Sequence, residues 1–492
     1  MSYVANQLYS VDAVRGLDRC AIDTHGIPGY DLMRRAGGGL FESVFERVPD
    51  ARHWVVVCGA GNNAGDGYVV AALALKSDRL HSVIALSDPG KLTGDAKKAF
   101  DDFVDAGGAV DNWSGELPSD CDLVIDAILG SGLDRDVAGD FADAIQAINH
   151  SGLPVASVDI PSGLNGDTGH IMGVAVSADM TRSFVGWKAG MFIEDGPDVC
   201  GELDLDTLGV PEACYKGVDP VMRTIPHDVL DDVLPPRGRT THKGVFGHVL
   251  VVGGGPGMPG AVRLCGEAAL RSGSGLVSVA THPSHAAAIV TGRPELMCHA
   301  VSEPDDLRAL LKQVDVVAFG PGLGQSDWST AVFEVVADSR LPSVWDADAL
   351  NLLAMHQGMS EHRIITPHPG EAARLLGVST SDVQRDRVAA VQQLQSRYGG
   401  VAVLKGAGTL VDDGNDTPWL CTAGNPGMAA PGMGDTLTGI IASLMGQGLH
   451  PSLAAAAGVQ SHAAAGDLAS LDGERGLMAS DLLDSLRFVV NP

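Results

Sequence analysis

The sequence predicts an α/β protein of two domains, a Rossmann-like parallel-sheet domain followed by a second α/β domain. Three observations predict it. Short apolar runs rich in Val and Ile alternate with helical stretches, the pattern of parallel strands buried on both faces. A proline- and glycine-rich stretch, PEACYKGVDP through VLPPRGRTTHKG, breaks that alternation and sets a boundary near residue 222. Two glycine-bearing loops, GAGNNAGDG at 59–67 and GNPGMAAPGMGDTLTG at 424–439, fall one in each half. The expected domains are 1–222 and 223–492, since a chain of 492 residues exceeds what one hydrophobic core usually covers.

Along the first half, residues 11–48 read as helical, VDAVRGLDRCAIDTHG and then YDLMRRAGGGLFESVFERV. WVVVC is β-rich and runs into the first glycine loop, after which GYVVAALALK reads as an alanine-rich helix. SVIALS, LVIDAIL and PVASVDI are further apolar strands. In the second half HVLVVGG is a strand and VRLCGEAALRSG a helix. LVSVAT, VVAFGPG, PSVWDADAL, RIITPHPGE and VAVLKGAG are strands, and an alanine-rich helical block ends the sequence.

A net charge of −28 argues against a nucleic-acid surface, which needs clustered Lys and Arg. No apolar run approaches a membrane span, and the start, MSYVANQLYSVDAVRG, has no charged segment leading into an apolar one, so a soluble cytoplasmic protein is expected. The eight cysteines contain no CxxC pair, and neither a disulfide framework nor a zinc site is expected.

GAGNNAGDG follows a strand and opens a helix, so its N–H groups and the helix dipole suit an anion. Gly59, Gly61 and Ala64 also satisfy GxGxxA, a fingerprint that a tight strand-to-helix turn meets equally well. That turn does not account for Asn62, Asn63 and Asp66 within it. Nor does it account for later strands ending in Asp126, and in Asp159 with Ser162. Strand C-termini of an open parallel sheet converge on one crevice, and oxygen ligands of low charge there suit a hard cation.

GAGNNAGDG, VIDAILGSGL, VDIPSGLNGDTG and FVGWKAG together resemble the N-terminal epimerase domain of NAD(P)H-hydrate repair enzymes, across roughly the first half. The resemblance implies a potassium ion held by Asn63, Asp126 and Ser162. It implies a hydrate site from Asn62, Asn63, Ala64, Gly65 and Asp66 together with Gly130, Ser131, Gly132, Leu133, Asp134, Arg135 and Asp136. Asp159 would be the acid/base. Ala64 stands where that family usually has glycine, and LMRRAG at 32–37 replaces a more usual LMENAG.

In the second half Gly255, Gly257 and Gly260 satisfy GxGxxG, yet LVSVAT ends in Thr281 without the acid of a dinucleotide domain. GMGDTLTG places Asp435 at the start of an apolar helix, either as a simple cap or as a base beneath N–H groups that steady a transferring phosphoryl group. VLKGAGT offers a small-residue turn with Lys405, TPHPGE holds His368 in a rigid loop, and DADALN puts Asp346 and Asp348 after a strand as possible Mg²⁺ partners or a helix start.

GRTTHKGVFGHVLVVGG, GPGLG, DADALN, TPHPGE, KGAGT and GMGD, in that order, resemble the ribokinase-like dehydratase domain of the same enzymes over 225–492. The resemblance implies ADP as co-substrate with Mg²⁺. It implies hydrate contacts from Ala261, Gly322, His368 and Asp435, nucleotide contacts from Lys405, Gly406, Ala407, Gly408, Thr409 and Gly434, and Asp435 as base. It also implies a homo-oligomer. Pro431 departs from the family's ATGGMGD pattern. The fold class is thus Rossmann-like plus ribokinase-like, and the expected function is epimerisation of R and S hydrates with nucleotide-driven dehydration of the S form. Two other readings stand beside it: a vitamin-precursor kinase fused to a nucleotide-binding domain, and a nucleotide-sensing scaffold.

Overall fold

The computed structural model describes residues 4–491. The chain divides into two compact units, Met1–Met222 and Arg223–Pro492.

The first unit is built on seven parallel strands in the order Val110–Asn112, Leu80–Ala85, Trp54–Cys58, Leu123–Ala127, Val155–Val158, Met180–Phe184, Glu202–Asp206. Strand WVVVC is wholly buried because helices cover both its faces. Val56, Cys58 and Ile125 pack in one core with Leu40 of helix Gly29–Arg47 and Val70 of helix Asn62–Lys76. Val55, Val57 and Val124 pack in another with Ile145 and Ile148 of helix Asp140–His150. The order reverses between Trp54–Cys58 and Leu123–Ala127, so the loops leaving these two strands diverge and open a crevice. Beside this sheet, Gln7–Tyr9 pairs in parallel with Trp187–Lys188.

The first glycine loop is shorter than the sequence suggests. The helix begins at Asn62, so most of the expected loop is helical. Its glycines do different jobs: a Cβ on Gly59 would sit 1.8 Å from the Ile128 carbonyl oxygen, whereas one on Gly67 would sit 2.5 Å from Ala127 Cβ and 3.1 Å from Cys58 Sγ. Gly67 therefore serves close helix-to-sheet packing. Ala64 is buried in the same helix and is absent from the residues with positive φ, so it replaces glycine without strain.

The second unit carries parallel strands in the order Met297–Ala300, Leu276–Thr281, His248–Gly253, Val316–Phe319, Ser343–Trp345, Arg363–Ile365, Val401–Leu404. Thr409–Asp412 and Trp419–Cys421 continue it antiparallel. Helix Pro259–Arg271 packs against helix Met433–Gly446 so closely that a Cβ on Gly439 would meet the Cys265 carbonyl oxygen at 2.1 Å. Among the described residues no helix is long and apolar enough to cross a membrane.

Two expectations are corrected. Cys20 and Cys214 form a disulfide across a sequence separation of 194, a pairing that spacing alone cannot signal. The other cysteines are free and, Cys298 apart, buried. Strands were also missed: MTRSF, ELDLD and VDN are too polar to read as strands, and MCHA is a half-exposed edge.

Gly67→Ala should destabilise the protein by about 1–3 kcal/mol through overpacking against Ala127 and Cys58. An unchanged urea midpoint would contradict that packing role.

Candidate active sites of the two units

A cavity of about 670 Å³ opens at the crevice of the first unit. It is lined by Asn62, Asn63 and Asp66 from the first glycine loop, by Gly130 to Asp136, and by Asp159. Most of the residues expected around the hydrate thus line one cavity. Ala64 and Gly65 are exceptions and do not line the cavity. Ala64 is fully buried in the helix, and Gly65 faces Met33, whose Cε would lie 2.6 Å from an added Cβ.

Sequence reasoning missed two residues at the centre of this cavity. Lys188, only 1% exposed, donates from Nζ to Asp159, to Ser183 Oγ at 2.9 Å and to the Phe184 carbonyl at 3.0 Å. Asp159 also accepts the Phe184 N–H at 3.0 Å and holds φ at 67°. Val185 and Leu208, both at positive φ, line the same cavity, so backbone strain concentrates there. Arg35, one of the two arginines that depart from the family pattern, donates to the Leu208 carbonyl at 2.6 Å and so supports that wall.

The second missed residue is Asp18, on helix Val11–Arg19. Burial raises its carboxyl to about 6, with a further push from Asp159 and a counter-pull from Lys188. Asp66 is also lifted well above the usual carboxylate range, by burial first and then by Asp159 and Asp18. Three acids thus surround one buried ammonium. WKAG and GLDRC carried these residues, but nothing local marked them, because their partners lie far off in sequence.

Asp126 and Ser162 lie behind the cavity, fully buried. Asp126 Oδ2 accepts Ser157 Oγ and the Ser162 N–H, each at 2.8 Å, and Oδ1 accepts Ser162 Oγ at 2.5 Å. Burial raises its pKa despite these bonds. Asn63 Nδ2 is buried without a hydrogen-bond partner, and its side chain borders Gly130. The Asp126 carboxylate, the Ser162 hydroxyl and the Asn63 side-chain carbonyl make an all-oxygen set of the kind a monovalent cation takes, once the hydroxyl proton and the unpartnered Asn63 amide N–H turn away from the ion.

In the second unit, Asp346, His368 and Lys405 follow successive strand ends, and Asp346 and Lys405 lie against Gly434 in the first turn of helix Met433–Gly446. Lys405 Nζ donates to Asp346 Oδ1 at 2.5 Å and lies 3.8 Å from Glu371 Oε2; Thr438 Oγ1 donates to Asp346 Oδ2 at 3.0 Å. Burial lowers the Lys405 pKa, but Asp346 and Glu371 outweigh it and the net shift is upward. A Cβ on Gly434 would sit 3.1 Å from Lys405 Nζ, which leaves glycine at the closest approach.

Asp435 occupies the first turn of that helix, whose N-cap is Gly432 at φ 91°. Its carboxyl is raised to about 7, chiefly by burial, next by Asp346, with Lys405 opposing and Glu371 adding. His368 caps its own helix: Nδ1 accepts the Gly370 N–H at 3.0 Å, while Glu371 returns a bond to the His368 N–H at 2.8 Å. Ala261 and Gly322 lie together, an added Cβ on Gly322 falling 3.0 Å from Ala261 Cβ.

The Lys405 amino group is engaged by Asp346, and the turn Gly406, Ala407, Gly408 and Thr409 is the open part of that segment. Of the two readings of Asp346 and Asp348, the helix start is seen at Asp348, which opens helix Asp348–His356 and accepts the Gly324 N–H at 2.8 Å, while Asp346 serves Lys405 and Thr438. Glu371 was missed as a site residue because it reads as an ordinary capping-box acid.

Two α/β units, each with a buried acid–lysine centre at the C-terminal ends of its parallel strands, define a two-site enzyme. Residues 249–487 match the family described as NAD(P)H-hydrate dehydratase, and residues 29–190 match the YjeF-related protein N-terminus. The chain is 45% identical over 486 residues to the bifunctional NAD(P)H-hydrate repair enzyme of Coxiella burnetii, covering 99% of each. It is 43% identical over 490 residues to that of Escherichia coli K12, covering 99% of this chain and 95% of the relative. A solved ribokinase-like superfamily protein from Enterococcus faecalis V583 is similar over 55% of this chain and 95% of its own, at 29% identity and a TM-score of 0.50. The chain belongs to the family of bifunctional NAD(P)H-hydrate repair enzymes.

Lys188→Met should cost about 3–5 kcal/mol, because it leaves Asp159 beside a buried apolar side chain without its cation. Thermal denaturation at matched pH reads this loss, and a stability equal to the parent would remove Lys188 from the centre of the site.

Proposed function

We propose that the first unit epimerises the R and S hydrates of NADH and NADPH, and that the second dehydrates the S hydrate with ADP, giving AMP and phosphate. The observation that carries this reading is the pair of acid–lysine centres, one per unit, in a chain similar over its whole length to bifunctional repair enzymes.

The hydroxyl of a hydrate sits on a carbon next to the ring nitrogen. In the first unit, Asp159 takes the hydroxyl proton as that carbon–nitrogen bond opens, and Asp18 supplies a proton to the nitrogen. Closure on the opposite face inverts the centre. Lys188 holds Asp159 in place, and Asn62, Asp66 and the Gly130 to Asp136 segment position the substrate. Asn63, Asp126 and Ser162 are the residues to hold K⁺, which supplies positive charge beside the buried Asp126 carboxylate.

In the second unit, Asp435 takes the proton of the hydrate hydroxyl as it attacks the terminal phosphorus of ADP, and AMP leaves. Free N–H groups at the helix start face the charge that develops. Phosphate then departs, pushed by the nitrogen lone pair, and loss of a proton from the neighbouring carbon restores the reduced ring. Ala261, Gly322 and His368 are assigned to the hydrate, and Gly406 to Thr409 with Gly434 to the nucleotide. Mg²⁺ is assigned to the nucleotide phosphates, since Asp346 and Asp348 are already engaged. A homo-oligomer belongs to the same reading, and light scattering tests it.

Recovery of the reduced-nicotinamide absorbance from a mixed R and S hydrate preparation, with ADP, ATP or no nucleotide, tests both halves. Full nucleotide-dependent recovery is expected. A halt after the S form would remove epimerisation, and stable phosphorylated product would favour the vitamin-precursor kinase.

Asp18→Asn should lower epimerisation by about 10²-fold or more while dehydration of pure S hydrate continues. Equal losses in both activities would point to misfolding. With its carboxyl raised to about 7, Asp435 is protonated in acid, so dehydration should climb as pH rises through about 7. A flat profile between pH 5 and 8 would exclude Asp435 as the base. Pro431→Gly should leave turnover nearly unchanged, because Pro431 precedes the N-cap Gly432 and contributes no N–H to the helix start. A large gain in turnover would show that the missing N–H matters.

A further inference from the structure

At the end of the first unit's sheet remote from the cavity, three neighbouring strands start side by side. His53 precedes Trp54–Cys58, His81 lies in Leu80–Ala85, and Asp120 stands just before Leu123–Ala127. We propose that His53, His81 and Asp120 form a binding site for a divalent transition-metal ion of the zinc, cobalt or nickel type.

One ligand atom from each residue lies within 4.8 Å of the others. His81 Nε2 and Asp120 Oδ1 are 3.2 Å apart, close to the edge of about 3.3 Å expected between two ligands of a tetrahedral zinc site. The His53 and His81 rings stand 5.7 Å apart, centroid to centroid. His53 Nδ1 lies 2.9 Å from the Asp120 carbonyl oxygen, which can only accept, so Nδ1 carries the proton and Nε2 keeps its lone pair. A backbone carbonyl fixing the far nitrogen is the usual outer support of a ligating histidine.

The backbone around the three residues is also tied down. The Asp122 carboxylate accepts the Arg52 and His53 N–H groups at 2.7 and 2.8 Å, and the Asp122 N–H returns a bond to the His53 carbonyl at 3.0 Å. Two imidazoles and one carboxylate match borderline transition ions, whereas K⁺, Mg²⁺ and Ca²⁺ take oxygen sets. His53 and Asp120 are exposed and the His81 side chain is partly so, which leaves room for water in the remaining coordination positions. A bound ion would tie together the starts of three adjacent strands, without contact with the residues assigned to epimerisation.

The full-length protein, stripped with a chelator and kept free of reductant so that Cys20–Cys214 stays closed, is titrated with Zn²⁺ by calorimetry and with Co²⁺ by absorbance. The expected result is one tight equivalent of Zn²⁺ that displaces Co²⁺, at least about tenfold weaker in both His81→Ala and Asp120→Asn. Epimerase and dehydratase rates should be unchanged in these variants. No stoichiometric binding by the parent protein, binding by both variants as tight as the parent's, or a loss seen only on changing His25→Ala, whose ring lies beside the Cys20–Cys214 disulfide, would overturn the proposal.

Discussion

An ammonium against a carboxylate, one of the two fully buried and the other partly so, is the interaction on which both sites depend. Lys188 is almost wholly removed from water, and an unpaired charge there would cost several kcal/mol. Asp159 must therefore stay beside it, and that requirement holds Asp159 at positive φ with the Phe184 N–H on its carboxylate. Once that pair is fixed, the remaining acids feel it. Asp18 and Asp66 sit in the same low-dielectric pocket, near a carboxylate whose charge is already committed, and they retain protons further up the pH scale than a surface acid would. The second unit repeats the device with different parts: Lys405 is shared between Asp346 and Glu371, and Asp435 is the acid lifted by burial and by the neighbouring carboxylates.

The elements that carry these groups were largely legible in the sequence, because a fully buried parallel strand writes itself as an unbroken apolar run, as WVVVC and HVLVVGG do. Strands that face solvent or carry ion pairs, such as ELDLD, write no such signal; Asp204 and Asp206 there serve Arg182. The glycine loops were legible as places but not as jobs. GAGNNAGDG looked like one cradle, yet most of it is helix, and Gly67 is needed where helix meets sheet. Residues whose role rests on a distant partner were the hard ones. Asp18 meets Asp159 and Lys188 only after the fold closes, and Cys20 meets Cys214 in the same way.

The departures from the family pattern follow the same logic of local geometry. Ala64 is harmless because a helical residue needs no positive φ, and Arg35 replaces an unknown contact with a definite one to the Leu208 carbonyl. Pro431 falls where the chain turns before a left-handed Gly432, and proline's fixed φ suits that approach. The anion-facing N–H groups of the helix start lie after it, not on it.

The two lifted acids also set how the activities share one pH range. In the proposed mechanism Asp18 donates a proton, so its useful form declines as pH rises through about 6, and Asp435 accepts one, so its useful form grows as pH rises through about 7. The slow step for a mixed hydrate pool therefore changes with pH. In acid the S hydrate waits for dehydration, while in base the R hydrate waits for epimerisation. Between these limits both steps run below their separate maxima, yet neither strands an epimer. A chain that joins both activities therefore handles both epimers only where the two profiles overlap. That overlap exists because burial has raised both acids above the ordinary carboxylate range, toward neutral pH.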